Sequence, residues 1–432
     1  MDIFENIIDG GKCSKYKTNH FHMFVDDDVC IPDVQNMSDS AFGTLMHEYV
    51  HYVQHLTTLF GIRMCDMFHR MSIMYREYMS KEHIIHLPLH LWEKDEHLSQ
   101  FLTHFKNVSG SKHCNFNIDA VDVNETNIDI ARKNKTAVTI GCYDFENNRI
   151  YENGFDFGYV CVMESMAHEI QKTLVSDVFH PEVPYCTAEL ILKEYYPEIL
   201  DDRKLIASIC YCALHWDNPG VGFFDVVNLA KSNPSWNGIE LYKHIAQNFA
   251  VSCNGKKMPR YRLILLFLDD FKKNLEQVIG TDLDYYKSVI NNCIKETCGS
   301  TSKLLDVLYN VPSDDKKTLF SSLADFYGYP VIDAKNYTIL PRNMVEAEGK
   351  PYLETAVLFG WELILARLLE SDGEKACERL SICSKGIYSN PDQCKVSEYC
   401  EYAPWLNTEA CPFTQCMKYY RFENEFVEKT DN

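Results

Sequence analysis

The stretch "LMHEYVHYVQHLTT", residues 45–58, places two histidines four positions apart, with a glutamate directly after the first. In an α-helix, residues four apart lie on one face, one turn above another. His47 and His51 are then neighbours on that face, and Glu48 lies one residue round from His47. The spacing therefore predicts two adjacent imidazole rings with a carboxylate beside them.

The residues around this stretch predict a helix over about 38–60. Residues 38–40, Ser-Asp-Ser, are common helix N-caps, and Gly61 is a plausible C-terminal stop. The surroundings of the histidines are apolar: Leu45, Met46, Val50 and Val53. The motif is therefore expected inside a capped helix with an apolar side.

This spacing has a known chemical use. Two imidazoles on one helical face can hold one zinc ion, and a glutamate at this offset can reach a water molecule without binding the metal. A motif this short also arises by accident. The alternative interpretation is two partly exposed histidines on an amphipathic helix that holds no metal.

In these residues the chain resembles the zincin metallopeptidases, whose H-E-x-x-H motif is matched by "HEYVH" at 47–51. The resemblance covers this motif and one later helix, not the whole chain. It implies a zincin-like catalytic domain with Zn²⁺ as cofactor. It also implies His47 and His51 as metal ligands and Glu48 as the general base.

A third metal ligand has to come from elsewhere. The metzincin extension of the motif needs a glycine and a histidine where this sequence has Gln54 and Thr57, so that subgroup is excluded. His55 lies roughly 12 Å along the helix axis from His47, which is too far to share one ion easily. It is interpreted as a solvated or supporting histidine.

Gluzincins take a glutamate from a later helix, and the predicted helix over about 158–178 offers Glu164 and Glu169. The buried face of this helix is predicted from Val160, Met163, Ala167 and Leu174, with Glu164 at its edge. The polar face is predicted from Ser165, Glu169, Lys172 and Ser176. A carboxylate among apolar residues is costly unless it is paired or bound to a metal. Glu164 is the predicted ligand, and an ordinary half-buried salt bridge is the alternative.

Three further residues are candidates for supporting the site or contacting substrate. His168 follows Glu164 by one turn, where gluzincins carry an aspartate that supports a ligand histidine. This departure leaves open whether His168 supports a ligand, contacts substrate or replaces Glu164. A tetrahedral oxyanion also needs a donor, and Tyr185 and His215 are candidates at predicted element ends. Their alternative role is structural.

The C-terminal region carries paired cysteines, and the first members of successive pairs are seventeen residues apart: Cys377 and Cys383, Cys394 and Cys400, Cys411 and Cys416. In a reducing cell, regular spacing of this kind predicts a second, structural metal. Its candidate ligands are Cys394, Cys400, Cys411 and Cys416. Buried thiols, or disulfides in an exported form, are the alternatives.

Composition limits the classes of partner. The formal net charge of −20 and the absence of a basic stripe argue against a nucleic-acid surface. No apolar run approaches the roughly 18 residues of a membrane span. Because no secretory signal is recognised, a cytoplasmic location is expected, with signal-independent export left open. The expected partner is a protein or peptide substrate.

The hydrophobic pattern predicts an α+β fold that is predominantly helical with a small antiparallel sheet. Strand signals occur at 18–25, in a hairpin over 136–157 and in an extended stretch over 327–341. Residues 110–134 are predicted as loop because they are rich in Asn and Asp. Most other segments have helical periodicity.

Two regions are expected: a zincin-like metallopeptidase domain over 1–360, and a helix with a cysteine-rich appendix over 361–432. The predicted function is zinc-dependent hydrolysis of peptide bonds. One alternative is a non-catalytic binding or scaffold protein in which "HEYVH" holds a structural metal or none. The other is a zinc amidohydrolase that acts on a non-peptide amide.

Overall fold

Helices dominate the fold. The computed structural model describes residues 15–17, 22–111, 118–144, 146, 148–150, 154–175, 178–253, 256–279, 284–335, 338–341, 351–369, 377, 380–383, 396–407 and 411–428. The α-helices in these ranges are α1 (Asp39–Thr57), α2 (Leu59–Met79), α3 (Glu96–Asn107), α4 (Glu125–Asn134), α5 (Tyr159–Leu174), α6 (Glu182–Tyr185), α7 (Thr187–Tyr195), α8 (Arg203–Ala213), α9 (Pro219–Ser232), α10 (Gly238–Asn248), α11 (Arg260–Ile279), α12 (Asp284–Gly299), α13 (Lys303–Asn310), α14 (Lys316–Tyr327), α15 (Pro351–Leu369), α16 (Leu380–Cys383) and α17 (Pro412–Tyr420).

The strands are short and scattered between the helices. They are β1 (Lys15–Lys17), β2 (His22–Val25), β3 (Ile84–Leu87), β4 (Ala120–Asp122), β5 (Val138–Tyr143), β6 (Phe155–Phe157), β7 (Ala250–Cys253), β8 (Lys256–Pro259), β9 (Val331–Ala334), β10 (Thr338–Ile339) and β11 (Glu425–Glu428). Within the described ranges they form sheets in the orders β1-β2-β9-β10, β4-β5-β6, β3-β11 and β7-β8. The predominantly helical α+β class is confirmed.

The sheets differ in detail from the prediction. β5 and β6 form the predicted hairpin pair, but β2 pairs with β9 in parallel and β3 pairs with β11 in parallel. The prediction of loop over 110–134 is wrong in part, because β4 and α4 lie there. Asn124 caps α4, while Ile128 and Ala131 are buried. Asparagine in this segment caps a helix at Asn124, so an Asn-rich composition does not by itself indicate a loop.

Helix α1, which carries the "HEYVH" motif, is buried on nearly every side. Ser38 caps its N-terminus by accepting a hydrogen bond from the backbone N–H of Ala41 at 3.1 Å, as predicted. Every residue from Ala41 to Thr57 except Thr44 is buried. The alternative of an amphipathic helix with partly exposed histidines is therefore wrong.

The end of α1 differs from the prediction of a stop at Gly61. The Thr58 hydroxyl donates to the carbonyl O of Gln54 at 2.7 Å and accepts from the N–H of Gly61 at 3.1 Å, so Thr58 ends α1 and caps α2. A Cβ atom at position 61 would lie 2.4 Å from the carbonyl O of Gln54. The glycine therefore permits the close approach of α2 to the end of α1.

Helix α5, which carries Glu164, packs against α1 and α8. The predicted polar face of this helix is wrong, because Ser165 and Glu169 are fully buried while Val160 is half-buried. Neighbouring helices cover this side, so its polar side chains find partners there instead of water. Glu169 pairs with Arg203 of α8 at 2.9 Å.

The C-terminal region is tied to the rest of the chain. Helix α15 runs unbroken from Pro351 to Leu369, so position 360 lies inside one helix. α17 packs on α15, and Glu425 of β11 lies opposite Ile84 of β3. Across the described ranges, the helices are too short or too polar to cross a membrane.

Candidate metal centre

Three side chains predicted as metal ligands meet between α1 and α5. The Nε2 atoms of His47 and His51 are 3.3 Å apart. Oε2 of Glu164 lies 3.1 Å from Nε2 of His47 and 3.3 Å from Nε2 of His51. Both histidines are buried, whereas the Glu164 side chain is 23% exposed. Two ring nitrogens and one carboxylate oxygen thus form a nearly equilateral triangle that reaches solvent on the Glu164 side.

The size of this triangle matches a zinc coordination sphere. Zinc–nitrogen bonds of about 2.0–2.1 Å in a tetrahedral arrangement place neighbouring ligand atoms about 3.3 Å apart. Hydrogen bonds account for the two edges that end on Glu164. The third edge, between the two ring nitrogens at 3.3 Å, is also within hydrogen-bond distance. The donor set and the spacing could therefore hold one metal ion.

Two glutamines orient the histidines that are candidate ligands. Nδ1 of His51 lies 2.8 Å from Oε1 of Gln54, whose amide nitrogen donates to the carbonyl O of Met163 at 3.0 Å. Because that nitrogen faces Met163, the amide oxygen faces His51 and accepts the Nδ1 proton. Nδ1 of His47 lies 3.1 Å from Oε1 of Gln171. Both rings therefore turn Nε2 toward the centre of the triangle.

The charges in this triangle are strongly coupled. Burial would raise the pKa of the Glu164 carboxyl, but His51 and His47 together hold that pKa well below its usual range. Burial would lower the pKa of His51, but the carboxylates of Glu164 and Glu48 outweigh it and raise the pKa to about 9. The salt-bridge alternative corresponds to this protonated form of His51. A metal ion bound here would therefore compete with a proton for the same nitrogen.

Glu48 and His55 lie on other parts of buried α1. Glu48 is 4% exposed, and its negative charge acts on His51. An ionised carboxylate so deeply buried requires nearby positive charge. The solvated interpretation of His55 is wrong: Nδ1 lies 2.7 Å from the carbonyl O of His51, and burial lowers its pKa to about 3. His55 supports the helix backbone at His51, the second candidate ligand.

Two rings from the segment after α5 lie against His47. The ring centroids of His180 and Tyr185 are 5.3 and 5.8 Å from that of His47 and 4.4 Å from each other. Ser165 holds this segment on α5, because its hydroxyl accepts from the N–H of Ala188 at 3.1 Å. Tyr185, a candidate oxyanion donor, thus lies beside His47. His180, which the sequence did not single out, lies with it.

His168 hydrogen-bonds behind the ligands instead of joining them. Nδ1 of His168 lies 2.9 Å from Nδ1 of His180, and Nε2 lies 3.4 Å from Sγ of Cys186. Burial lowers the pKa of His168 to about 2 and that of His180 to about 4, so both rings are neutral at pH 7. With both ring nitrogens engaged, His168 contacts His180 and does not take the place of Glu164.

A second cluster brings His168, Glu169 and Glu189 together. Nη1 of Arg203 lies 2.9 Å from Glu169 and 3.8 Å from Glu189. Lys172 lies 3.6 Å from Glu189. These cations already pair with both carboxylates. The cluster is therefore an ion-pair network that joins α5 to α7 and α8, and Glu169 is not available as the third ligand.

His215 lies in the aromatic core, and the structure does not bring it to the triangle. Its ring packs against Tyr211 and Tyr242, at centroid distances of 5.4 and 5.6 Å. Nδ1 accepts from the N–H of Leu59, at the start of α2, at 3.4 Å. Burial lowers its pKa to about 3. These contacts give His215 a structural place beyond the C-terminal end of α1.

The C-terminal cysteines are only partly described. Cys394 lies outside the described residues. The amide nitrogen of Asn407 lies 3.5 Å from Sγ of Cys400 and 4.0 Å from Sγ of Cys411. Cys416 is buried against α15, with Sγ 3.7 Å from the carbonyl O of Val357. Among described residues this region has no group of three metal-type ligand atoms close together, and a structural metal there stays a prediction.

Sequence reasoning missed the residues that orient the ligands. Gln54 follows His51 by three positions, and Gln171 follows Glu164 by seven, so helical spacing places each near its ligand's face. Those spacings could have identified both glutamines from the sequence. No sequence spacing identifies His180, because it lies in a coil segment, where helical periodicity does not apply.

Comparison with protein-family models, with curated proteins and with solved structures finds no match for this chain. The inference of function therefore depends on the chemistry of the site. That chemistry is defined by two oriented imidazoles, one carboxylate and a buried glutamate beside them.

Replacing Gln54 with leucine is expected to weaken zinc binding roughly 10–100-fold, because the variant loses the acceptor that orients His51. Leucine fills a similar volume, and Gln54 is fully buried. A chelator-competition titration measures the change in affinity. Gln100→Leu, at an exposed position on α3, is the matched control. Equal zinc affinity in Gln54→Leu and wild type would contradict the orienting role.

Proposed function

We propose that the chain is a zinc-dependent metallopeptidase, with His47, His51 and Glu164 as metal ligands and Glu48 as general base. The observation that carries this proposal is the triangle of ligand atoms, whose edges of 3.1 to 3.3 Å match tetrahedral zinc. The zincin resemblance of "HEYVH" supports the same reaction. A zincin-like architecture of the surrounding domain is part of this proposal.

The ligand set defines what the chain supplies to a metal. When bound, zinc provides a Lewis acid that polarises a carbonyl and lowers the pKa of water toward 7. With two neutral imidazoles and one carboxylate as ligands, a bound divalent zinc ion would keep a net positive charge. That charge offsets the cost of keeping Glu48 ionised at 4% exposure.

Glu48 moves the proton of the reaction. Its carboxylate takes a proton from the attacking water and later delivers it to the leaving amine nitrogen. One O–H bond of water and the C–N bond break, while a C–O bond and an N–H bond form. Tyr185, half-buried beside His47, stays a candidate donor to the developing oxyanion.

A peptide-library digest tests the proposal. The zinc-loaded protein is expected to cleave a subset of peptides, detected by mass spectrometry as new termini. Removing the metal with a chelator should stop cleavage, and adding zinc, but not magnesium, should restore it. Magnesium is the control because it prefers oxygen ligands.

Two results would favour the alternatives. A protein that cleaves no peptide but hydrolyses small amides in a metal-dependent way would be an amidohydrolase. A zinc-loaded protein that cleaves neither would be a non-catalytic protein with a structural metal, and the peptidase proposal would be rejected.

A further inference from the structure

A line of hydrogen bonds runs from Cys186 through His168 to His180, and it ends beside the ligand His47. Sγ of Cys186 lies 3.4 Å from Nε2 of His168, and Nδ1 of His168 lies 2.9 Å from Nδ1 of His180. The His180 ring is 5.3 Å from the His47 ring between centroids. Within the described ranges, the other nitrogen of His180, Nε2, makes no hydrogen bond. The line therefore ends on a ring that lies against His47 and keeps one nitrogen for another partner.

The direction of these hydrogen bonds decides whether Nε2 of His180 carries a proton. A neutral imidazole nitrogen is a good acceptor, whereas sulfur is a weak one. Burial raises the pKa of the Cys186 thiol to about 11, so the sulfur keeps its proton. The thiol therefore donates to Nε2 of His168. His168 must then hold its proton on Nδ1 and donate it to Nδ1 of His180.

His180 is left in one tautomer by this sequence of bonds. Its Nδ1 accepts from His168, so its own proton lies on Nε2. The opposite direction would require a ring N–H to donate to sulfur and would leave the S–H proton without its best acceptor. The strengths of the two acceptors favour the first direction.

We propose that the Cys186–His168–His180 line presents the Nε2–H of His180 as a fixed hydrogen-bond donor to an anionic substrate oxygen at the metal centre. This inference rests on the proposed function and deepens it. His180 is the residue that contacts the developing oxyanion, and its proton stays on Nε2. His168 and Cys186 are positioning residues that act through His180.

A donor held in this way has an advantage over a rotating hydroxyl. Preorganised donors need no reorientation when charge develops, and removal of one such donor commonly costs orders of magnitude in rate. The tautomer of His180 is set by two buried or half-buried partners. Tyr185 is the competing donor, because its ring lies 5.8 Å from that of His47.

The first test reads the tautomer directly and needs no metal. Protein labelled with ¹⁵N-histidine is studied by two-bond proton–nitrogen correlation at pH 7, with His180→Gln and His168→Gln used for assignment. His180 is expected as the Nε2–H form in the metal-free protein. Cys186→Ser, which keeps a hydroxyl donor, should preserve that form. Cys186→Ala should give a mixture of both tautomers.

The second test reads the donor function by binding. The cobalt-loaded protein is titrated with acetohydroxamate, whose anionic oxygen stands in for the substrate oxyanion, and the visible spectrum of cobalt reports binding. His180→Ala is expected to raise the dissociation constant roughly 10–100-fold, the usual effect of losing one hydrogen bond to a charged group. Cys186→Ala should raise it less, and Cys186→Ser should resemble wild type. His97→Ala, at an exposed position, is the control.

The outcomes separate this inference from the proposed function. Protein that holds no cobalt would refute the metallopeptidase, while the tautomer measurement would still decide the direction of the hydrogen bonds. An Nδ1–H form of His180 overturns the inference. So does an unchanged dissociation constant in His180→Ala, or a loss found only in Tyr185→Phe. Equal tautomer populations in Cys186→Ala and wild type would remove the positioning role of Cys186.

Discussion

Glu48→Gln is expected to retain zinc and to lose peptide hydrolysis by about 10²–10⁴-fold, the usual contribution of a general base. The substitution keeps the size of the side chain and all three proposed metal ligands. It removes the carboxylate that is proposed to take the proton from water. Since Glu48 is 4% exposed, a neutral amide is also cheaper to bury, so the variant should remain folded. The measurements are kcat/KM on a cleaved peptide and the zinc content of the same sample.

Glu194→Gln provides the matched control, because Glu194 is exposed on α7. It should retain both zinc and activity. Hydrolysis that survives in Glu48→Gln at the wild-type rate would rule out Glu48 as the base. Loss of zinc together with activity would show that Glu48 contributes to holding the metal.

His51→Ala is expected to abolish zinc binding at the triangle, because tetrahedral sites of this kind depend on each protein ligand. Wild-type protein purified with zinc present should hold about one equivalent there by elemental mass spectrometry. Zinc should also raise the thermal unfolding temperature of wild type but not of the variant, because an ion that binds only the folded state stabilises it. Glu164→Ala should likewise lose zinc and the zinc-dependent rise in unfolding temperature.

Two comparisons make this result specific. His97→Ala, at an exposed position, should keep its zinc. Zinc that remains in His51→Ala would locate a second site, and the C-terminal cysteines would be examined next. If wild type holds no zinc, the triangle is a protonated His51 paired with Glu164, which the raised pKa of His51 of about 9 describes. The metal proposal would then be withdrawn.

Local pattern was enough to predict the elements that carry the site. The N-cap at Ser38, the helix with His47 and His51, and a later helix with Glu164 are all found in the structure. Caps and i, i+4 spacing are properties of a few neighbouring residues, so sequence alone expresses them. The predominantly helical class follows from the same periodicity.

Burial was harder to predict for the same helices. The sequence pattern places Glu169 and Ser165 on the polar face of α5, yet both are buried against neighbouring helices. A helix packed on several sides has little solvent-exposed surface, so its buried polar residues need partners on neighbouring helices. Glu164 lies beside His47 and His51, whereas Glu169 pairs with Arg203.

By itself, the sequence determined the paired histidines on one helical face, the glutamate beside them and the helix that could supply a third ligand. Only the tertiary structure decided that Gln54 and Gln171 orient the rings, that His180 lies at the centre and that His215 does not. These contacts join segments far apart in the chain, and their distances depend on how α5 packs against α1 and on where a coil segment runs. The spacing of neighbouring residues in the sequence predicts neither the packing of α5 against α1 nor the path of the coil segment.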